Sequence, residues 1–171
     1  ERLNSQVKLR DANAMKLNAL LDEIPGIIPM RRRPQITQQS YFNFAFQLDT
    51  KTLGINNHQF CLAMNAELNL PEVFEPRYEH LNNCGLYKPL TKARHNLNKA
   101  YCKAIDPKRF RTPVATNANE NCGVVAHHQI LLNKNKEIEL IVDAVKKIVD
   151  NLDELRSIKP SAMKKYQALA H

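Results

Sequence analysis

The stretch 78–95, YEHLNNCGLYKPLTKARH, gathers groups that make directed hydrogen bonds: Tyr78, His80, Asn82, Asn83, Tyr87, Thr91 and His95. No apolar repeat of helical or alternating period runs through it, so burial of one face does not explain its composition. An irregular segment of this kind is expected at the surface of a rigid scaffold, where binding groups concentrate. The competing reading is a polar connector whose asparagines only satisfy turn backbone. His127 and His128 form a second candidate pair. Adjacent residues on a strand point to opposite faces, so the two imidazoles are not expected to share a metal. A hydrogen-bonded structural role is expected for at least one of them.

Other chemistries leave little trace. Cys61, Cys84, Cys102 and Cys122 are widely spaced, without the close ligand pairs of a zinc site. Reduced thiols are expected, in a cytoplasmic protein. His80 lies near Cys84 in sequence, but a nucleophilic thiol needs a base beside it in space. There is no phosphate-cradling glycine loop and no GxSxG elbow, and no pair of carboxylates stands out. No catalytic residue and no metal ligand are assigned.

Charge raises a separate question. The 171 residues carry a formal net charge of +8, and from Lys88 to Arg111 eight Lys or Arg residues face a single acid, Asp106. Arg31, Arg32 and Arg33 add a second basic run. Such patches can bind nucleic acid, a membrane surface or phosphorylated ligands. No nucleic-acid motif accompanies the charge and aromatics are not interleaved with it, so nucleic acid ranks behind the other readings. Apolar runs are too short to cross a bilayer, so no membrane partner is expected. The chain opens on Glu1 inside a helical pattern, without a signal-peptide pattern, as a piece of a longer polypeptide would.

The elements that hold these groups are legible from period and punctuation. Leu3, Val7, Ala14, Leu17 and Leu21 mark a helix from the start to about residue 23, closed by Pro25 and Gly26. The loop with the three arginines and Pro34 is expected to be mobile. In SYFNFAFQLD, Phe42, Phe44, Phe46 and Leu48 alternate as a core strand does. Asn56 and Gln59 have capping-box spacing ahead of a helix to about Leu68, with Phe60, Met64 and Leu68 on one face. Val73 and Phe74 are expected to pair with the phenylalanine strand. A short helix follows at 97–105, then a turn-rich stretch at 113–121 and a strand at Val124–Ala126. From about Lys134 to Leu155, eight aliphatic residues from Ile138 onward make the best amphipathic stripe in the chain. The expected fold is α+β: a small sheet covered by helices, with a long N-terminal helix and a long C-terminal amphipathic helix. Residues 1–156 are read as one domain and 157–171 as a tail, a short helix or disordered.

This order of elements resembles the C-terminal small domain of the DegT/DnrJ/StrS aminotransferases, which use pyridoxal phosphate to aminate keto sugars and cyclitols. The likeness runs from the IPGI ending of the first helix through SYFNFAFQLD to the last amphipathic helix. YEHLNNCGLYKPLTKARHNL, AIDPKRF and HHQILL are similar to the branch that includes the L-glutamine:scyllo-inosose and 2-deoxy-scyllo-inosose aminotransferases. One departure is Asn56-Asn57-His58 after Gly54, where the family more often has an arginine–acid pair after a serine. In this family the Schiff-base lysine and the cofactor-ring contacts belong to an N-terminal large domain. The resemblance therefore implies a partner domain missing from this chain, pyridoxal phosphate in the complete enzyme and none on this segment alone, and a homodimer for the complete enzyme. It also implies that the small domain shapes and closes the substrate pocket. Asn82, Asn83 and Tyr87 would then approach a keto-sugar or keto-cyclitol, with His127 or His128 near the same edge. Amide, phenol and imidazole groups suit a polyhydroxylated ring because each type both donates and accepts. A stand-alone module that binds a sugar or a protein without chemistry is the second reading.

Overall fold

The alternation of Phe44, Phe46 and Leu48 builds the strand on which the fold is assembled. In a computed structural model of the chain, which describes residues 2–76, 78–82, 84 and 96–158, these three side chains are 1–3% exposed on one face of β2 (Asn43–Leu48). A four-stranded antiparallel sheet surrounds it in the order β1-β2-β4-β3. The other strands are β1 (Ile27–Pro29), β3 (Phe74–Glu75) and β4 (Gly123–His127). Ile27, Val124, Ala126 and Phe74 join the buried set on the same side.

Three helices supply most of the rest of the core: α1 (Arg2–Asp22), α3 (Asn57–Glu67) and α6 (Asn135–Asp150). Phe60 of α3 meets Phe46 edge to face, with ring centroids 5.8 Å apart, the geometry that places a ring edge on a π face. Helix α6 packs on both α1 and α3 through Ile138, Ile141, Val142, Val145 and Ile148. The result is α+β, with the helices and the inner sheet face enclosing one core.

Several expectations change in detail. Phe42 was grouped with the core stripe but is 78% exposed, because the ladder starts one residue later, at Asn43. The Val73-Phe74 piece pairs with β4 and not with β2, since both edges of β2 are already taken by β1 and β4. β1 follows the Pro25-Gly26 turn directly, and its Pro29 is tolerated because β1 is an edge strand. Leu3 is 68% exposed: the first turns of α1 lie outside the core, which begins at Asn13 and Ala14. The three-arginine loop is tethered at one point, where Arg32 bonds the Asp11 carboxylate. The last helix is broken at Asn151, and α7 (Leu152–Ser157) continues after it. Of the proposed tail, residues 159–171 lie outside the described residues.

Short elements depend on specific caps. The Asn56/Gln59 capping box forms as the spacing predicts, with both reciprocal bonds at 3.0 Å. α2 (Thr50–Leu53) starts on the Asp49 carboxylate and stops at Gly54, whose φ of 68° favours glycine. Arg156 of α7 bonds the Leu53 carbonyl there, so the end of the last described helix closes the end of this one.

Side-chain amides hold the segments that no ladder holds. Asn13, buried in α1, donates to the Leu131 and Asn133 carbonyls, both at 2.9 Å. Asn65 pairs with both backbone groups of Phe74, as a neighbouring strand would. Asn57, fully buried, donates at 2.8 Å to Asn119 O and Gly123 O and at 3.5 Å to Ala118 O. Those carbonyls belong to a π-helical turn, Ala118–Cys122, and to the first residue of β4. A Cβ at Gly123 would lie 2.5 Å from Ala118 O, so only glycine lets that turn close on the strand.

Two outcomes follow. Asn57→Ala strips the buried carbonyls of their donor and is expected to destabilise the fold by about 1–3 kcal/mol, read by denaturant unfolding. Burial also pushes the Cys61 thiol far above its ordinary range. In the unfolded chain that thiol ionises near about pH 8.5, so the unfolded state loses its proton first and stability falls as pH rises beyond that point. Cys61→Ala is expected to remove that part of the alkaline slope, measured by unfolding from pH 7 to 10.

Candidate functional site

A concave pocket of about 740 Å³ opens where the 78–82 segment meets the chain on either side of α5 (Pro113–Asn117). Its walls include His80, Asn82, Pro107, Lys108, Phe110 and Arg111, and its floor Thr112, Thr116, Asn117 and Asn121. The walls are irregular backbone and need fixing. Asp106 caps a 3-10 turn at Pro107–Arg109 by accepting from Lys108 N at 3.0 Å, with proline in the first helical position. Arg109 donates to Lys103 O at 2.8 Å, tying the turn to the end of α4 (Lys99–Ala104). Asn82 spans the gap: its amide donates to Phe110 O at 2.7 Å and, more weakly, to Pro107 O at 3.5 Å. On the floor, Asn121 donates to Asn117 Oδ1 at 3.0 Å.

Two polar atoms on this lining are buried without a hydrogen-bond partner, His80 Nδ1 and Thr112 Oγ1. Thr112 holds the N-cap position of α5, where a threonine hydroxyl ordinarily accepts from the first turn, yet here it makes no capping bond. Lys108 and Arg111 make no ion pair among the described residues. The described lining thus carries two cations and no carboxylate.

The two histidines lie apart from this pocket's described lining. His127 is the last residue of β4, half-buried on the outer sheet face and opposite Asn43 of β2. Asn43 donates to the Tyr78 hydroxyl at 2.7 Å, which links that face to the segment carrying Asn82. His128 does not continue the strand. It opens a 3-10 turn, His128–Leu132, and its Nδ1 lies 3.0 Å from Phe42 O. A carbonyl only accepts, so Nδ1 is the donor in this bond, and in the neutral ring Nε2 is then an acceptor. Asn83 and Tyr87 lie outside the described residues.

A smaller cavity, about 90 Å³, is lined by Asn18, Arg32, Gln39, Tyr41 and Asn43 among others. Burial raises the Tyr41 hydroxyl's pKa, with Arg32 opposing and Asp11 reinforcing the shift. No group of three or more potential metal ligands forms among the described residues, and no described helix is long and apolar enough to cross a membrane.

The chain as a whole has counterparts among known proteins. Over 148 residues the chain is 31% identical to the L-glutamine:2-deoxy-scyllo-inosose aminotransferase of Streptomyces fradiae, a match that takes in 86% of this chain and 34% of that protein. Over 156 residues it is 28% identical to the L-glutamine:scyllo-inosose aminotransferase of Streptomyces griseus, with 91% and 36% covered. By sequence, the chain is similar to one part of the scyllo-inosose aminotransferases. It spans about a third of the length of the curated relatives it matches. The fold also superposes on the crystal structure of 3-amino-5-hydroxybenzoic acid synthase with a TM-score of 0.57, at 19% identity, over 85% of this chain and 36% of that one. No protein-family model matches the chain.

Sequence reasoning singled out Asn82 but missed Arg111 and Thr112 as pocket residues. The basic run containing Arg111 was visible without a destination, and nothing in the sequence marked Thr112. Asn82→Ala is expected to release the Pro107–Phe110 turn. Hydrogen exchange across 107–112 should quicken while exchange in β2 and β4 stays slow.

Proposed function

We propose that this segment is the small-domain part of a pyridoxal-phosphate-dependent aminotransferase that aminates a keto-cyclitol or keto-sugar, and that it shapes and closes the substrate pocket. The carrying observation is the match itself: 31% identity across 86% of this chain, confined to 34% of an inosose aminotransferase. The fold shared with an aminotransferase-type synthase supports it. L-Glutamine, printed in the relatives' names, is the proposed amino donor.

In this reading Asn82, Asn83 and Tyr87 face the polyol. The Asn82 amide N–H groups are committed to the loop carbonyls, which leaves its own carbonyl oxygen to accept from a ring hydroxyl. His127, the last residue of β4, and His128 are proposed to complete the same rim outside the described pocket lining. Closing such a pocket excludes water and strengthens these hydrogen bonds.

Pyridoxal phosphate, when bound, supplies the electron sink for amino transfer. The described residues do not suit the Schiff-base role. Every described lysine is exposed except half-buried Lys16, which pairs with Glu139 at 2.8 Å, and none has the desolvated setting that makes an amine nucleophilic. The covalent chemistry is therefore assigned to the two thirds of the complete enzyme that this segment does not match, and a homodimer is proposed for that enzyme.

The polypeptide encoded by the complete reading frame, loaded with the cofactor, should convert scyllo-inosose or its 2-deoxy form to the amino-cyclitol with L-glutamine as donor, followed by mass spectrometry. Absence of amine product from any keto-cyclitol or keto-sugar would sink the assignment in favour of a binding module. Tyr87→Phe in that enzyme should lower kcat for the cyclitol by about ten-fold, the cost of one lost hydrogen bond to a buried partner, with little change in Tm. Unchanged kinetics would remove Tyr87 from the site.

A further inference from the structure

The core fixes the pocket's floor, because Asn57 holds the π-helical turn that follows α5, but it does not fix the walls. No residue of α4, of the Pro107–Arg109 turn or of α5 is buried, and none is buried in the segment 78–82. Leu81, Phe110 and Val114 are each more than half exposed. Burial of apolar area therefore contributes little to where these walls stand, and directed bonds must place them. Two such bonds lie in series between sheet and wall. Asn43, the first residue of β2, donates through Nδ2 to the Tyr78 hydroxyl at 2.7 Å. Further along the same segment, Asn82 donates to Phe110 O at 2.7 Å. The four-residue step from Tyr78 to Asn82 reaches at most about 14 Å, so a phenol anchored on β2 limits where Asn82 can stand. Asn43 is itself held by the ladder, opposite His127 of β4. Just ahead of the segment, Asn119 donates to Pro76 O over a longer 3.4 Å, which ties it to the floor as well.

We propose that Asn43 and Tyr78 are positioning residues for this pocket: they carry the placement of the central strand to Asn82, and through Asn82 to the Pro107–Phe110 wall. The inference rests on the aminotransferase reading, in which Asn82 meets a hydroxyl of the keto-cyclitol. Hydrogen bonds weaken steeply as distance and angle depart from their optimum, so a link remote from the ring sets the affinity for it. Neither Asn43 nor Tyr78 lies on the pocket's described lining, so substituting them removes no side chain of that lining. Their effect passes through Asn82 and should vanish once Asn82 is gone. A residue that only stabilises the fold would instead add its cost independently.

The test uses the polypeptide of the complete reading frame, with scyllo-inosose and its 2-deoxy form as probes and L-glutamine at saturation. Tyr78→Phe removes one hydroxyl, and Asn43→Leu keeps the side chain's shape without its amide. Each should raise KM for the cyclitol by about three- to ten-fold, the worth of one hydrogen bond, and change kcat less. Amide exchange across 78–82 and 107–112 should quicken in both variants, while β4, α6 and Tm hold. Adding either substitution to Asn82→Ala should raise KM little beyond Asn82→Ala alone. Multiplied effects in the double variants, an unchanged KM in both single variants, or a fall in Tm that accounts for the lost activity would each overturn the assignment. Failure of the unsubstituted enzyme to aminate either cyclitol would instead remove the reading beneath it, and the exchange measurement would still decide whether the link holds the wall.

Discussion

The fully buried amide of Asn57 is the constraint on which the arrangement of this molecule turns. It stands on the first turn of α3 and collects carbonyls from the π-helical turn and from the first residue of β4. That single group fixes where the central strand begins relative to the helix that packs on it. It also fixes α5, immediately before the turn, and α5 forms much of the pocket floor. Core and pocket are therefore set by one side chain, with Gly123 permitting the close approach. A residue at this place with no paired donors would leave carbonyls in an apolar interior, where each costs far more than a solvent-facing one.

The same device recurs. Wherever the chain leaves a ladder, backbone carbonyls lose their partners, and an asparagine amide with two N–H groups can satisfy two at once. Asn13 does this for the end of the 3-10 turn and the residue after it, and Asn82 for the Pro107–Phe110 turn, while Asn65 gives one donor and one acceptor to Phe74 of edge strand β3. Such latches give irregular walls a fixed shape without regular secondary structure. That is what a pocket reading a ligand by directed hydrogen bonds needs, because a misplaced donor forfeits most of its advantage.

Charge is placed to match. Three acids of the described surface are engaged away from the pocket: Glu139 with Lys16, Glu67 with Lys147 and Asp153 with Arg156. The cations on the pocket lining lack such partners, so their field is available to a bound anion.

The sequence by itself determined what depends on local period and local caps. β2 was legible from strict alternation, α3 from its capping box, and α6 from a stripe that recurs every three or four residues, because each signal sits within a few residues of what it specifies. Tertiary structure decided what depends on partners distant in sequence. β1 is too short to announce itself, and β3, legible as an apolar piece, has a partner that only the sheet decides, because β2 and β4 offer the two edges. Asn57, which stands out in the sequence only as a departure from the family's pattern, is the joint of the fold through carbonyls more than sixty residues away. His80 and Arg111 became neighbours on one lining only when Asn82 drew its segment onto the Pro107–Phe110 turn. No pattern in the chain records that approach, since hydrogen bonds between loops carry no period.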